Sequence, residues 1–263
     1  MTTPRPHAVP RAAPARPLRW AALGGTALAL CLAAFWLSRR GTETLSSTLA
    51  RADAMSDVPG SGGVAIAADT TVTILGSDGH PLETRPLDAP VVALSWSSGA
   101  LWTANGRTPA LVEHRADGGT SSFAVNHVPT AIDAHEKYLW SVDAQGKQVH
   151  QYLITRSMLG MFLQPLDLYD LSELTVESFD MDEEGVLWLV DSASRRLYRL
   201  KADGAVYKPV DSAPLTPLIG TTGRTKGIAI GSENIWILVS PEDGPGSSVL
   251  KRFPLRRLTW TPA

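Results

Sequence analysis

Four oxygen-bearing side chains, Asn105, Asp143, Glu177 and Asp191, have the chemistry to hold a hard cation. Ca²⁺ takes carboxylate and amide oxygens, and a divalent ion held this way polarises a carbonyl or activates a water. The same residues also suit a plainer role, because Asp and Asn at turns accept backbone N–H bonds a few residues on. Asp143 and Asp191 stand at matching positions of an internal repeat, as turn residues would. A metal site instead draws unlike residues from separate places. The expectation is no cofactor, with Ca²⁺ or another divalent cation on these four residues as the alternative.

Three histidines, His127, His135 and His150, are available as general bases, but none sits in a cluster of recognisable spacing. Asp180, Asp182, Glu183 and Glu184 form an acidic run that reads as a strand end and solvated turn. The chain has no P-loop, G-x-S-x-G elbow, H-E-x-x-H helix or C-x-x-C pair, each of which ties a chemistry to a spacing. No catalytic residue is assigned. A different kind of candidate is the apolar run Met158, Leu159, Met161, Phe162 and Leu163 around Gly160. Methionine adapts to irregular contact surfaces, and exposed apolar patches mark interfaces. This run is the expected partner or membrane contact; the alternative is a hairpin packed on its own sheet.

The elements that position these residues come from a repeat. Residues 91–105, 129–143, 177–191 and 225–239 each hold an alternating apolar strand, a short polar turn and a second strand with an aliphatic-Trp pair. The tryptophans, Trp102, Trp140, Trp188 and Trp236, recur at spacings of 38, 48 and 48. A third strand follows in each unit, and a fainter first unit without the Trp lies at residues 64–79. Alternation of period two marks half-buried strands, and a repeat of this length matches a propeller blade. The expected fold is all-β, a small β-propeller of about five blades, with six the other count, over residues 63–263. The C-terminal RRLTWTPA is expected to add a strand to the first unit and close the ring. In such a ring the loops before each first strand and after each second strand share one face. That face would carry His127, Glu177, Arg224 and Lys226, and Asn105, Asp143, Asp191 and Ser240.

The segments PTAIDAHEKYLWSVD and ESFDMDEEGVLWLVDSASRRLYRL resemble the NHL, SMP-30 and streptogramin-lyase group of propellers. The resemblance is one of scaffold, and such motifs specify packing rather than chemistry. A likeness to SMP-30 lactonases implies a central metal. A likeness to streptogramin lyases implies a histidine base with acidic support, in a ring that normally has more blades than this chain supplies.

Residues 20–37, WAALGGTALALCLAAFWL, run for 18 positions without a charge. That is long enough for a transmembrane helix, expected over residues 18–38, with Trp20 and Trp36 near its ends. Residues 1–40 hold six arginines and no acidic residue, while the whole chain has a net charge of -2, which argues against a nucleic-acid partner. The flanking charge and the short proline-rich tail, residues 1–17, put the N-terminus in the cytoplasm. The ring then lies in the periplasm or outside the cell, on a signal anchor in the inner membrane. Residues 39–62 read as stalk and linker: a short helix over 42–56, with Leu45 and Leu49 on one face, then a Pro-Gly-Ser-Gly-Gly break. The function expected is a non-enzymatic protein-binding or scaffold component of a bacterial envelope complex. The alternatives are a metal-dependent hydrolase of SMP-30 type and a small-ligand sensory module. Expected partners are envelope proteins and, through residues 20–37, the membrane.

Overall fold

The computed structural model describes residues 45–49, 52–158, 160–171, 173–182, 184–241 and 246–263. Among these, no helix is long and apolar enough to cross a membrane. The expected tail and spanning helix lie outside the described residues.

The architecture is mostly β. Strand β1 (Leu45–Leu49) is followed by a first unit of four strands, β2 (Ala54–Val58), β3 (Gly63–Ala68), β4 (Thr71–Leu75) and β5 (Pro81–Pro86). The second unit is β6 (Ala93–Ser97), β7 (Ala100–Ala104), β8 (Ala110–His114) and β9 (Thr120–Ala124). The third is β10 (Ala131–His135), β11 (Tyr138–Val142), β12 (Gln148–Ser157) and β13 (Gly160–Asp170). The fourth is β14 (Val176–Met181), β15 (Leu187–Asp191), β16 (Arg196–Asp203) and β17 (Val206–Pro214), followed by the single-turn helix α1 (Thr216–Ile219). The last is β18 (Arg224–Ile230), β19 (Asn234–Ser240) and β20 (Ser248–Pro254), and β21 (Thr261–Pro262) ends the chain. Each unit is an antiparallel meander. Its first strand touches the first strands of both neighbours, β2 to β6, β6 to β10, β10 to β14, β14 to β18 and β18 back to β2.

The repeated tryptophans explain why these meanders stack. One face of a meander is apolar and needs a cover, which the next unit provides. Trp102 shares a core cluster with Ile132 and Tyr152 of the third unit. Trp140 is packed with Phe179 and Leu187 of the fourth, Trp188 with Ile228 and Ile235 of the last, and Trp236 with Met55 and Val64 of the first. All four are buried. At about 25 cal/mol per Å² and 150–250 Å² per ring, each contributes roughly 4–6 kcal/mol of gross burial. The first unit has Ala65 at the Trp position, and Trp96 of the second unit packs into the gap instead.

Residues 45–62 differ from the expected helix and linker. β1 pairs along β20, from Leu45 opposite Arg252 to Leu49 opposite Ser248, and supplies the fourth strand that the last unit lacks. β2 is the innermost strand of the first unit, and residues 59–62 are a tight turn, with Ser61 N donating to Val58 O at 3.1 Å. A short isolated helix is marginal in water, whereas the open edge of β20 offers five residues a full ladder. Among the described residues the paired strands therefore begin at Leu45. The C-terminal segment does not add to the first unit either, which already has four strands. Instead β21 pairs with β17, Ser212 opposite Thr261, while Trp260 meets Trp188 edge-on at 5.5 Å.

Candidate functional site

Opposite each tryptophan, on the innermost strand, stands a small or acidic residue: Ser95, Asp133, Asp180 and Ala229, with Ser56 opposite Ala65 in the first unit. These side chains hold the next unit. Ser56 Oγ accepts from Trp96 N at 3.3 Å, Ser95 Oγ from Ala134 N at 2.8 Å, Asp133 Oδ2 from Met181 N at 3.2 Å and Asp180 Oδ2 from Ile230 N at 2.6 Å. The series stops at Ala229, which has no acceptor to offer the first unit. There the inner strands come close instead: a Cβ on Gly227 would lie 2.6 Å from Met55 Cβ and 2.8 Å from Met55 N.

The same position gathers charge in the channel. One carboxylate oxygen each from Asp57, Asp133 and Asp180 lie within 4.8 Å of one another. Burial, and then the Asp57 charge, raise Asp133 to about 7. Burial and the other two carboxylates push Asp180 well above the usual range. Burial also raises Asp57, against the Ser56 hydroxyl and His135. Holding a proton on one or more of these carboxyls relieves the repulsion among three acids this close together. The trio opens into a cavity of about 820 Å³ that Asp182, His135 and Arg252 also line. The sequence reading missed Asp57 and Asp133 and treated Asp180 as part of a turn. The available signal was spacing, since Ser95, Asp133 and Ala229 all precede their Trp by seven residues.

The opposite mouth of the channel, about 450 Å³, is built at the starts of the inner strands. Two β-bulges shape it. Val176 pairs with Asp191 and Ser178 with Val190, leaving Glu177 as the extra residue. Thr225 pairs with Val239 and Gly227 with Leu238, leaving Lys226 as the extra residue. A bulge re-aims a side chain that the ladder would otherwise fix, and both residues line the cavity, with Arg224 and Asp53 nearby. Burial raises the Glu177 pKa, opposed by hydrogen bonds from the Thr225 amide and by Arg224.

The other expected ligands are not gathered here. Asn105 Oδ1 accepts from Arg107 N and Thr108 N, each at 2.9 Å. Asp143 Oδ1 accepts from Lys147 N at 2.8 Å and Gln148 N at 2.9 Å. Asp191 accepts from Thr175 N and Ser194 N, both at 2.8 Å. Each closes a turn in its own part of the ring. Asn105, Asp143 and Asp191 thus accept from amides of their own turns and are not brought together with Glu177. Ser240 Oγ is buried on Ala52 O at 2.7 Å.

His127 lies to one side, stacked on His150 with ring centroids 3.7 Å apart. Its Nε2 is 2.9 Å from Ser141 Oγ, but Ser141 is fully buried and cannot meet a substrate. Burial, then the His150 charge, lowers the His127 pKa to about 4. His135 lines the larger cavity, on the mouth opposite Glu177.

The apolar run divides. Met161 and Leu163 pack against the cluster of Trp102 and Tyr152. Met158 is fully exposed and Phe162 is 48% exposed, while Leu159 lies outside the described residues. The hairpin leans on the second unit through Arg156, whose Nη2 donates to the buried Glu113 Oε1 at 3.0 Å.

No family model matches the chain, and no curated protein matches it. Solved structures do. The glutaminyl cyclase of Myxococcus xanthus is similar with a TM-score of 0.55 at 9% identity, over 84% of this chain and 99% of that one. A luciferin-regenerating enzyme gives 0.49 at 15% identity, over 76% of each chain. A streptogramin B lyase gives 0.46 at 14% identity, over 78% of this chain and 72% of that one. The likeness to the glutaminyl cyclase is one of propeller-like fold, which supports the scaffold resemblance. At these identities the likeness is of fold alone and assigns no activity.

Proposed function

We propose that this chain is a five-bladed β-propeller tethered to the inner membrane by residues 20–37, with its N-terminus in the cytoplasm. It serves as a non-enzymatic protein-binding component of an envelope complex. The observation that supports binding is the pair of bulges that brings Glu177 and Lys226 to one mouth of the channel. Two charges of opposite sign on rigid inner strands suit recognition of a complementary surface. They do not make a nucleophile and its base. Of the groups the sequence offered for catalysis or metal binding, His127 is engaged with a buried serine, and Asn105, Asp143 and Asp191 with their turns.

The test is a photo-crosslinking residue at Gln145, exposed beside this mouth, in the full-length protein in its native membrane. The expected result is one stoichiometric protein adduct, lost when Glu177→Gln and Lys226→Met are combined. No adduct, together with turnover of esters or lactones that Glu177→Gln abolishes, would make the protein an enzyme. No adduct and a small molecule that copurifies until Lys226 is changed would make it a ligand sensor.

A further inference from the structure

We propose that the overhanging β12–β13 hairpin rests on the lipid surface of the membrane that holds the chain. The inference relies on the anchoring of residues 20–37 and adds a second, reversible point of contact.

The first observation is where the ring begins. Because β1 starts at Leu45, only residues 38–44 separate the apolar run from the ring. Fully extended, the eight steps from Leu37 to Leu45 span roughly 28 Å. The linker of 39–62 expected from the sequence would have let the ring drift far from the bilayer, and this short tether does not.

The second observation is which end of the strand the chain enters. β1 is the fourth strand of its unit and runs antiparallel to β20, as β13 is the fourth strand of its unit and runs antiparallel to β12. Leu45 therefore occupies the end that Gly160 occupies, beside the β12–β13 turn. The chain enters the ring on the rim where these hairpins turn, and that rim is the one held near the lipid.

The third observation is what this rim exposes. β12 and β13 have 10 and 11 residues and run past the turn between β10 and β11, where Ile154 N donates to Lys137 O. Met158 at the tip is fully exposed and Phe162 follows at 48%. Leu82, 67% exposed, stands beside the corresponding turn of the first unit. Apolar side chains on a rim held close to a bilayer gain by entering its interface. Arg156 is engaged by Glu113, so the tip meets lipid through its apolar side chains.

The test uses full-length protein with Cys31→Ala, reconstituted in vesicles of phosphatidylethanolamine and phosphatidylglycerol. An environment-sensitive fluorophore is placed at Met158→Cys, at Phe162→Cys, or at Ala144→Cys on the opposite rim. With brominated acyl chains, the labels at 158 and 162 should lose most of their emission and the label at 144 should keep it. Protein that fails to float with the vesicles refutes the anchoring itself. Protein that floats but keeps the emission at 158 and 162 refutes the hairpin contact while leaving the anchor intact. Shielding at 158 that occurs in native membranes and not in pure lipid vesicles would make the occupant a protein, and overturn the proposal.

Discussion

Asp133→Asn tests the interior of the channel. In the folded protein the Asp133 pKa rises from 3.8 to about 7 because the group is buried and faces Asp57. A carboxyl with a raised pKa binds more protons folded than unfolded, so its ionisation removes stability as pH rises from about 4 through 7. At about 1.4 kcal/mol per pH unit, that interval corresponds to a loss of about 4 kcal/mol. Asn has no proton to lose over this range. Its Oδ1 can accept from Met181 N and its Nδ2 can donate to Ser95 Oγ, the two partners that Asp133 has now. The substitution should cost about 1 kcal/mol at pH 4 through poorer hydrogen bonding. By pH 8 the variant should be the more stable protein. Urea unfolding followed by tryptophan fluorescence, from pH 4 to 8, gives both curves. If wild type and variant fall in parallel across that range, Asp133 does not carry a raised pKa and the account of the trio is wrong.

Gly227→Ala should weaken the junction of the last and first units, since its Cβ would meet Met55 backbone; an overpacking cost of about 1–3 kcal/mol would appear as a lower Tm. Arg156→Met removes the hydrogen bond to the buried Glu113 Oε1 and leaves that carboxylate only the longer contact with Arg115 at 3.8 Å; it should destabilise by about 1–3 kcal/mol, with faster proteolysis near residue 158. His127 should titrate by NMR with a midpoint near 4. Because that pKa is lowered, its contribution is present at neutral pH and is lost as pH falls from about 6.5 through 4, and unstacking from His150 should accompany it. A chain started at residue 63 should aggregate, whereas one started at 43 should fold, as circular dichroism and gel filtration would report.

The repeat was legible because it is made of burial. Trp102, Trp140, Trp188 and Trp236 mark the second strand of each unit, and every one is the cover for its neighbour. Two features hid the ends. Leu45 and Leu49 suit a helix face as well as a strand, and only the open edge of β20, some 200 residues away, decides between them. The Pro-Gly-Ser-Gly stretch reads as a linker but is a hairpin turn. Glu177 and Lys226 lie together at one mouth of the ring, but the bulges that present them depend on strand pairing and leave no local mark in the sequence. Asp143 and Asp191 matched each other, and that match identified them as turn residues. Asp133 was overlooked because an acid within an apolar strand looks like a solvent-facing position until the ring closes around it, and Asp57 because residues 39–62 read as stalk and linker.

Closing the ring with β1 has a consequence for how the protein is made. β1 leaves the ribosome before any other strand, yet its partner β20 is the last strand of the last unit. With Leu49 and Ser248 199 residues apart in sequence, synthesis at 5–20 residues per second leaves β1 without a partner for roughly 10–40 s. Throughout that time the other four units can assemble in order while β1 stays unpaired. A second nascent chain with an open β20 edge can capture it, so dense expression should favour exchanged dimers that are absent when synthesis is sparse.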